Sequence, residues 1–97
     1  MKAVTLQNDG IKIVDTSVPS PSEFQVLVKV YACCLNRSDL LETQGQSFGH
    51  MGSDLKILGG EFAGEVIELG SKVSNLSKGD KVMCRGGSGW AEFALAH

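Results

Sequence analysis

At 97 residues, 42% hydrophobic and 21% charged, the chain has the size and make-up of one ordinary globular domain, with room for a core and too little length for two. Nine Lys and Arg against eleven Asp and Glu leave a net charge of −2, and the basic residues form no run, which argues against a nucleic-acid partner. No apolar stretch approaches the ~20 residues that cross a bilayer, so no membrane partner is expected. Met1 leads directly into a strand-like run rather than an apolar signal region, and the three cysteines show no Cys-x-x-Cys spacing. Both features fit a reducing, cytoplasmic location.

Residues 2–6 and 11–15 have β character, and Asn8-Asp9-Gly10 between them is a turn signal, so the chain is predicted to open on a hairpin. Pro19 and Pro21 then mark a surface connection, since neither can donate a backbone hydrogen bond. The strongest strand pattern covers residues 24–32, where Val26, Val28 and Val30 alternate with Leu27, Lys29 and Tyr31. After Cys33-Cys34-Leu35 the period changes. Asn36 or Ser38 can cap a short helix running through Leu40, Leu41 and Glu42 toward Gly45.

Residues 44–56 carry three glycines and neither period, and read as a loop. Residues 57–69 restore β character, with Gly59, Gly60 and Gly64 marking bends or a close backbone approach. Residues 71–79 are polar with Val73 and Leu76 as anchors, and residues 80–84 form another strand. Gly86-Gly87-Ser88-Gly89 is predicted to turn tightly into a last strand over residues 90–95. Its G-x-G is no dinucleotide fingerprint, because a strand and not a helix follows. The sum is a mainly β domain with one short helix, favouring a closed or partly open barrel.

Cys33, Cys34, Cys84, His50 and His97 are the soft metal donors of the chain. Adjacent cysteines in a strand project to opposite sides, so the expectation is free thiols and no metal site.

Leu35-Asn36-Arg37-Ser38-Asp39 and Leu58-Gly59-Gly60-Glu61-Phe62-Ala63-Gly64-Glu65-Val66 resemble the two segments of medium-chain alcohol dehydrogenases that each deliver a catalytic zinc ligand. The family patterns read Cys-Arg-Ser-Asp and Gly-His-Glu. Asn36 stands here at the cysteine position and Gly60 at the histidine position. Neither a carboxamide nor a glycine replaces a thiolate and an imidazole around zinc. Further matches at residues 23–30, Gly70, Val73, residues 79–82 and residues 89–93 extend the likeness over essentially the whole chain. The chain is therefore similar to the N-terminal, GroES-like domain of the zinc-free quinone oxidoreductase branch of the medium-chain dehydrogenase/reductase superfamily.

That resemblance implies a GroES-like, partly open β-barrel over residues 1–97 that is C-terminally incomplete. The Rossmann cofactor domain of full-length members lies outside this chain. It further implies NADPH as cofactor without zinc, a quinone or enone-type substrate, and an isolated domain that is inactive. It allows a homodimer in the full-length protein.

The resemblance also assigns residues. Asn36 would orient a substrate carbonyl oxygen or face the nicotinamide, with its amide both donating and accepting. Its bland alternative is a helix cap. Arg37 would reach the cofactor pyrophosphate, or else is a solvated charge at a helix start. Ser38 loses its proton-relay role without a zinc alkoxide, which leaves capping. Asp39 and Glu61 favour structural hydrogen bonds; Asp39, nearer the pocket, is carried with Asn36 as a catalytic candidate. Phe48 is the candidate aromatic wall of the substrate pocket, with Tyr31 either a second wall or part of the core. A contrasting reading is a co-chaperonin or other binding module without catalysis, in which residues 44–56 form the partner-binding loop.

Overall fold

The computed structural model describes residues 1–7, 10–36 and 56–97. Seven strands run through those residues: β1 (Lys2–Gln7), β2 (Gly10–Asp15), β3 (Val26–Cys33), β4 (Lys56–Ile57), β5 (Glu61–Leu69), β6 (Lys81–Arg85) and β7 (Phe93–Ala96). They make two antiparallel sheets, one in the order β2-β1-β4 and one in the order β6-β5-β3-β7. Among the described residues there is no helix, and the two sheets do not close into a barrel. The predicted helix after Asn36 and nearly all of the predicted loop lie outside the described residues.

The opening hairpin forms as its turn signal requires, with Gln7 opposite Gly10 and Lys2 opposite Asp15. Thr5 in its middle is fully buried, and its hydroxyl donates to the Lys12 carbonyl at 3.2 Å. That bond satisfies a polar group which burial would otherwise penalise.

β3 keeps its period of two only in part. Lys29 and Tyr31 are exposed while Val28 is fully buried, yet Leu27 is as buried as Val26 beside it. Tertiary position explains the difference. β3 is an inner strand held between β5 and β7, and its register against β5 shifts at Leu27/Val28 and again between Val30 and Ala32. Such bulges rotate side chains away from strict alternation.

The core of the larger sheet is Val26, Val28, Phe62, Val66 and Ala94. Val73 and Leu76 pack against it from the polar segment after β5, in the anchoring role their isolation in sequence suggests.

The β stretch over residues 57–69 is divided between the sheets at the bend that Gly59-Gly60 marks in the sequence. Ile57 pairs with Thr5 in the smaller sheet, whereas Glu61 opens β5 in the larger. Gly59 makes the crossing with φ of 106°, a backbone conformation that side-chain-bearing residues rarely adopt. The segment predicted as a strand over residues 90–95 is likewise divided, since β7 begins only at Phe93. Residues 90–92 instead stitch the sheets together. Val4 N–H donates to the Trp90 carbonyl at 2.8 Å, Trp90 N–H to Leu58 at 2.9 Å, and Val30 N–H to Glu92 at 2.9 Å. Ala91 forms a bridge with Ala3. The two corners, at Gly59 and at Trp90, therefore meet in space.

Candidate active site at the sheet corner

The chain leaves β3 at Cys33 and enters an irregular stretch that carries Asn36, which is half-buried. Two hydrogen bonds at Cys34 set the course of that stretch. Cys34 N–H donates to the Glu61 carbonyl at 3.2 Å. The Cys34 carbonyl accepts from the indole Nε1–H of Trp90 at 3.0 Å. Asn36 is two residues further on, within ~7 Å of chain from Cys34. Gly60 directly precedes Glu61. The residue that leads into the first sequence motif is thus hydrogen-bonded to the second motif at Glu61.

Backbone contacts hold the Gly59–Gly60 side of the corner as well. Gly89 N–H donates to the Gly59 carbonyl at 3.1 Å, and Gly86 N–H to that of Gly60 at 2.9 Å. The glycine-rich turn thus serves as a clamp on the corner. A Cβ on Gly59 would stand 2.5 Å from Trp90 Cδ1, so the indole lies directly on the glycine backbone. A glycine at position 59 permits both the positive φ and this contact.

An apolar groove of about 640 Å³ adjoins the corner, walled by Val4, Ile13, Val30, Tyr31, Leu35 and Trp90. Tyr31 is 57% exposed and Leu35 77%, so Tyr31 belongs to this open wall and not to the core. A flat aromatic edge, an indole and aliphatic side chains suit a planar, apolar ring.

Behind that wall, Tyr31 joins a charged surface network. Its hydroxyl donates to Glu65 Oε1 at 3.1 Å, and Lys81 Nζ donates to the same oxygen at 2.5 Å. The Lys81 ammonium also sits 5.0 Å from the Tyr31 ring centre. The bond from Lys81, and then that from Tyr31, hold the Glu65 carboxyl below the ordinary carboxylate range. The bond to Glu65 raises Lys81. A depressed carboxyl contributes stability above its unfolded pKa and loses it as pH falls through the folded value. A raised ammonium contributes below the ordinary lysine range and loses it as pH rises through the folded value. Glu65→Gln should therefore flatten both the acid and the alkaline limb of a plot of urea midpoint against pH. Because the network is at the surface, the change should shrink at high salt. A variant curve parallel to wild type across both limbs would contradict this coupling.

Among the sequence-predicted residues, Asn36 is described, half-buried and two residues beyond Cys34. Arg37, Asp39 and Phe48 lie outside the described residues, as do Ser38 and His50. Glu61 takes part through its backbone carbonyl, and its carboxylate stands 4.0 Å from Arg85 Nε. Cys33 and Cys34 are free and exposed, while burial pushes the Cys84 thiol up. Among the described residues no three His, Cys, Asp or Glu side chains converge on a common point. Sequence reasoning missed Trp90. A lone Trp following a glycine-rich turn carried the signal, because a buried or half-buried indole N–H needs an acceptor.

Residues 22–95 match the alcohol dehydrogenase GroES-like domain. Mouse quinone oxidoreductase is 38% identical over 84 residues, covering 84% of this chain and 25% of that protein. The structure of the quinone oxidoreductase from Coxiella burnetii is 35% identical with a TM-score of 0.86, covering 99% of this chain and 34% of that one. A mycobacterial structure solved in complex with NADPH is 27% identical with a TM-score of 0.84, over 99% of this chain and 31% of that one. The chain thus spans about a quarter to a third of the length of these relatives. No helix among the described residues is long and apolar enough to cross a membrane. On the match over residues 22–95 and the fold and sequence shared with these relatives, the chain belongs to the alcohol dehydrogenase GroES-like domain family, on the quinone oxidoreductase branch of the medium-chain dehydrogenase/reductase superfamily.

Proposed function

We propose that this chain is the catalytic-domain portion of a zinc-independent, NADPH-dependent oxidoreductase that reduces a quinone or a similar conjugated carbonyl compound. The observation that supports the reading is the hydrogen bond from Cys34 N–H to the Glu61 carbonyl at 3.2 Å. It ties Cys34, two residues before Asn36, to Glu61, the residue after Gly60, and the metal-dependent pattern has a cysteine and a histidine at positions 36 and 60. A carboxamide supplies a hydrogen-bond donor where those residues would supply metal ligands. The adjoining groove, apolar and open along the Tyr31–Trp90 wall, fits a flat ring.

NADPH, when bound, supplies the hydride; the relative solved with NADPH supports that choice. The residues of this chain do the rest. Leu35, Tyr31 and Trp90 exclude water from one side of the ring and fix its plane. Asn36 Nδ2–H donates to the carbonyl oxygen on which negative charge develops, and water then protonates that oxygen. Arg37 is proposed to bind the cofactor phosphates, Asp39 to hold the segment around Asn36, and Phe48 to line the pocket. The free thiols fit a cytoplasmic setting. Because the coenzyme-binding domain of this superfamily is a separate unit, the 97-residue chain by itself should turn over no quinone.

Asn36→Ala in the intact enzyme should lower kcat about a hundredfold, the loss typical of removing one preorganised donor, with the NADPH affinity little changed. Added zinc and chelators should leave the rate of both forms unaltered. An unchanged kcat in the variant, or stoichiometric zinc held at positions 36 and 60, would end this reading.

A further inference from the structure

We infer that Tyr31 is a specificity-determining residue of the apolar groove, with Lys81 and Glu65 as positioning residues that hold its ring ready for a planar guest; this rests on the planar-ring reading of the groove and on no role for Asn36. Three observations meet at this one side chain. The register of β3 against β5 runs from Val30 opposite Gly64 to Ala32 opposite Ala63, so Tyr31 is the residue left over by a bulge. A bulge bends its strand and re-aims the side chain it carries. That side chain is more than half exposed and forms part of the groove wall with Val30, Leu35 and Trp90. Its hydroxyl donates to Glu65 Oε1 at 3.1 Å, and the Lys81 ammonium, which donates to the same oxygen, sits over the ring 5.0 Å from its centre. Neither Lys81 nor Glu65 lines the groove itself.

A tyrosine this exposed ordinarily samples several rotamers, and ordering it when a guest arrives would weaken binding. Here the ordering is done beforehand. Glu65 stands opposite Lys29 on one side and Lys81 on the other, so the charges form a row across three paired strands. The hydroxyl bond fixes the tip of the ring, and the ammonium covers one face. An ion pair as exposed as Lys81–Glu65 adds little to folding stability. Its effect falls on the groove instead, because the ring it holds is part of the wall. A fixed aromatic wall favours a flat guest over a cage-shaped one of equal size, since only the flat ring can stack. Affinity for an uncharged guest also becomes sensitive to salt, because salt screens the pair that holds the wall in place.

Duroquinone and camphorquinone make the probe pair. Both are uncharged diketones of nearly equal size, the first flat and the second a cage, and duroquinone has no unsubstituted ring carbon for a thiol to attack. Binding to the 97-residue chain is followed at the Trp90 indole N–H and Val30 methyl resonances, with Val28 and Val66 reporting that each variant keeps its core. Wild type should bind duroquinone more tightly than camphorquinone. Raising salt to about 1 M, where the screening length is about 3 Å, should weaken the duroquinone complex about twofold. Lys81→Met should bind duroquinone about twofold to fivefold more weakly and lose the salt effect, whereas Lys81→Arg should keep both. Tyr31→Leu should bind it about threefold to tenfold more weakly and lose the preference over camphorquinone. Lys81→Met affinity and salt response equal to wild type would overturn the positioning role, and an unchanged preference in Tyr31→Leu would overturn the specificity role. Either result, with duroquinone still seated at the groove resonances, would leave the planar-ring reading standing. Groove resonances unmoved by duroquinone in wild type would overturn that reading and the role of Tyr31 together.

Discussion

Gly64→Ala should destabilise the domain by about 3 kcal/mol or more, although it replaces a glycine in a strand with a residue that ordinarily favours folding. Gly64 is in the middle of β5, opposite Val30 on one side and Val82 on the other. A Cβ there would fall far inside van der Waals contact of the Lys29 carbonyl oxygen and 2.9 Å from Val28 Cγ1. Neither neighbour can yield. The carbonyl is backbone in an inner strand, and Val28 is fully buried. The entropic advantage of alanine over glycine, about 0.5–1 kcal/mol, is too small to offset that overlap. Gly87→Ala provides the control, since a Cβ there meets nothing within 4 Å. Urea denaturation of both variants checks the expectation. A Gly64→Ala protein within 0.5 kcal/mol of wild type, on the scale of ordinary surface changes, would mean that β3 and β5 do not approach as closely as described.

Gly59→Ala should be nearly as damaging, and its damage should reach the site. Position 59 has φ of 106°, where a side-chain-bearing residue pays ~1–3 kcal/mol in backbone strain. The new methyl would also meet Trp90 at 2.5 Å from Cδ1 and 2.7 Å from its backbone nitrogen. The flexible part of that contact is the ring, so the indole moves first and its bond to Cys34 is lost. We expect a combined loss of about 2–4 kcal/mol. We also expect a change in tryptophan emission, easily read because Trp90 is the single tryptophan of the chain. Unaltered emission with unaltered stability would sink the account of the corner.

Much of this was legible without coordinates. The Asn8-Asp9-Gly10 signal placed the first hairpin, because a turn that short dictates the register of the strands on either side. Val73 and Leu76 stood out as anchors because apolar residues isolated in a polar stretch have little reason to be there unless buried. The glycine of GGEFAG that separates Ala63 from Glu65 announced a close backbone approach, since a strand tolerates glycine poorly unless something needs the space.

Other readings failed at identifiable points. Residues 90–95 read as one strand, yet β7 begins only at Phe93 and residues 90–92 form a corner between the sheets, whereas residues 57–69 pass from one sheet to the other at the bend that Gly59-Gly60 marked. Local periodicity is blind to that change, because both halves of such a stretch are extended. Leu27 escaped its alternation because it sits on an inner strand with shifted register, a property of its neighbours and not of its own segment.

What the amino-acid sequence determined by itself was the β character of the domain, a carboxamide at position 36 and a glycine at position 60, and the family to which this pattern belongs. Each of these is a local or chemical property, written in residue type and spacing. Only the tertiary structure decided that Gly59 and Trp90, thirty-one positions apart, share one corner, and that an indole N–H there reaches the carbonyl two residues before Asn36. That outcome depends on where two sheets cross, and the crossing is set by the packing of distant strands, which no window of sequence contains.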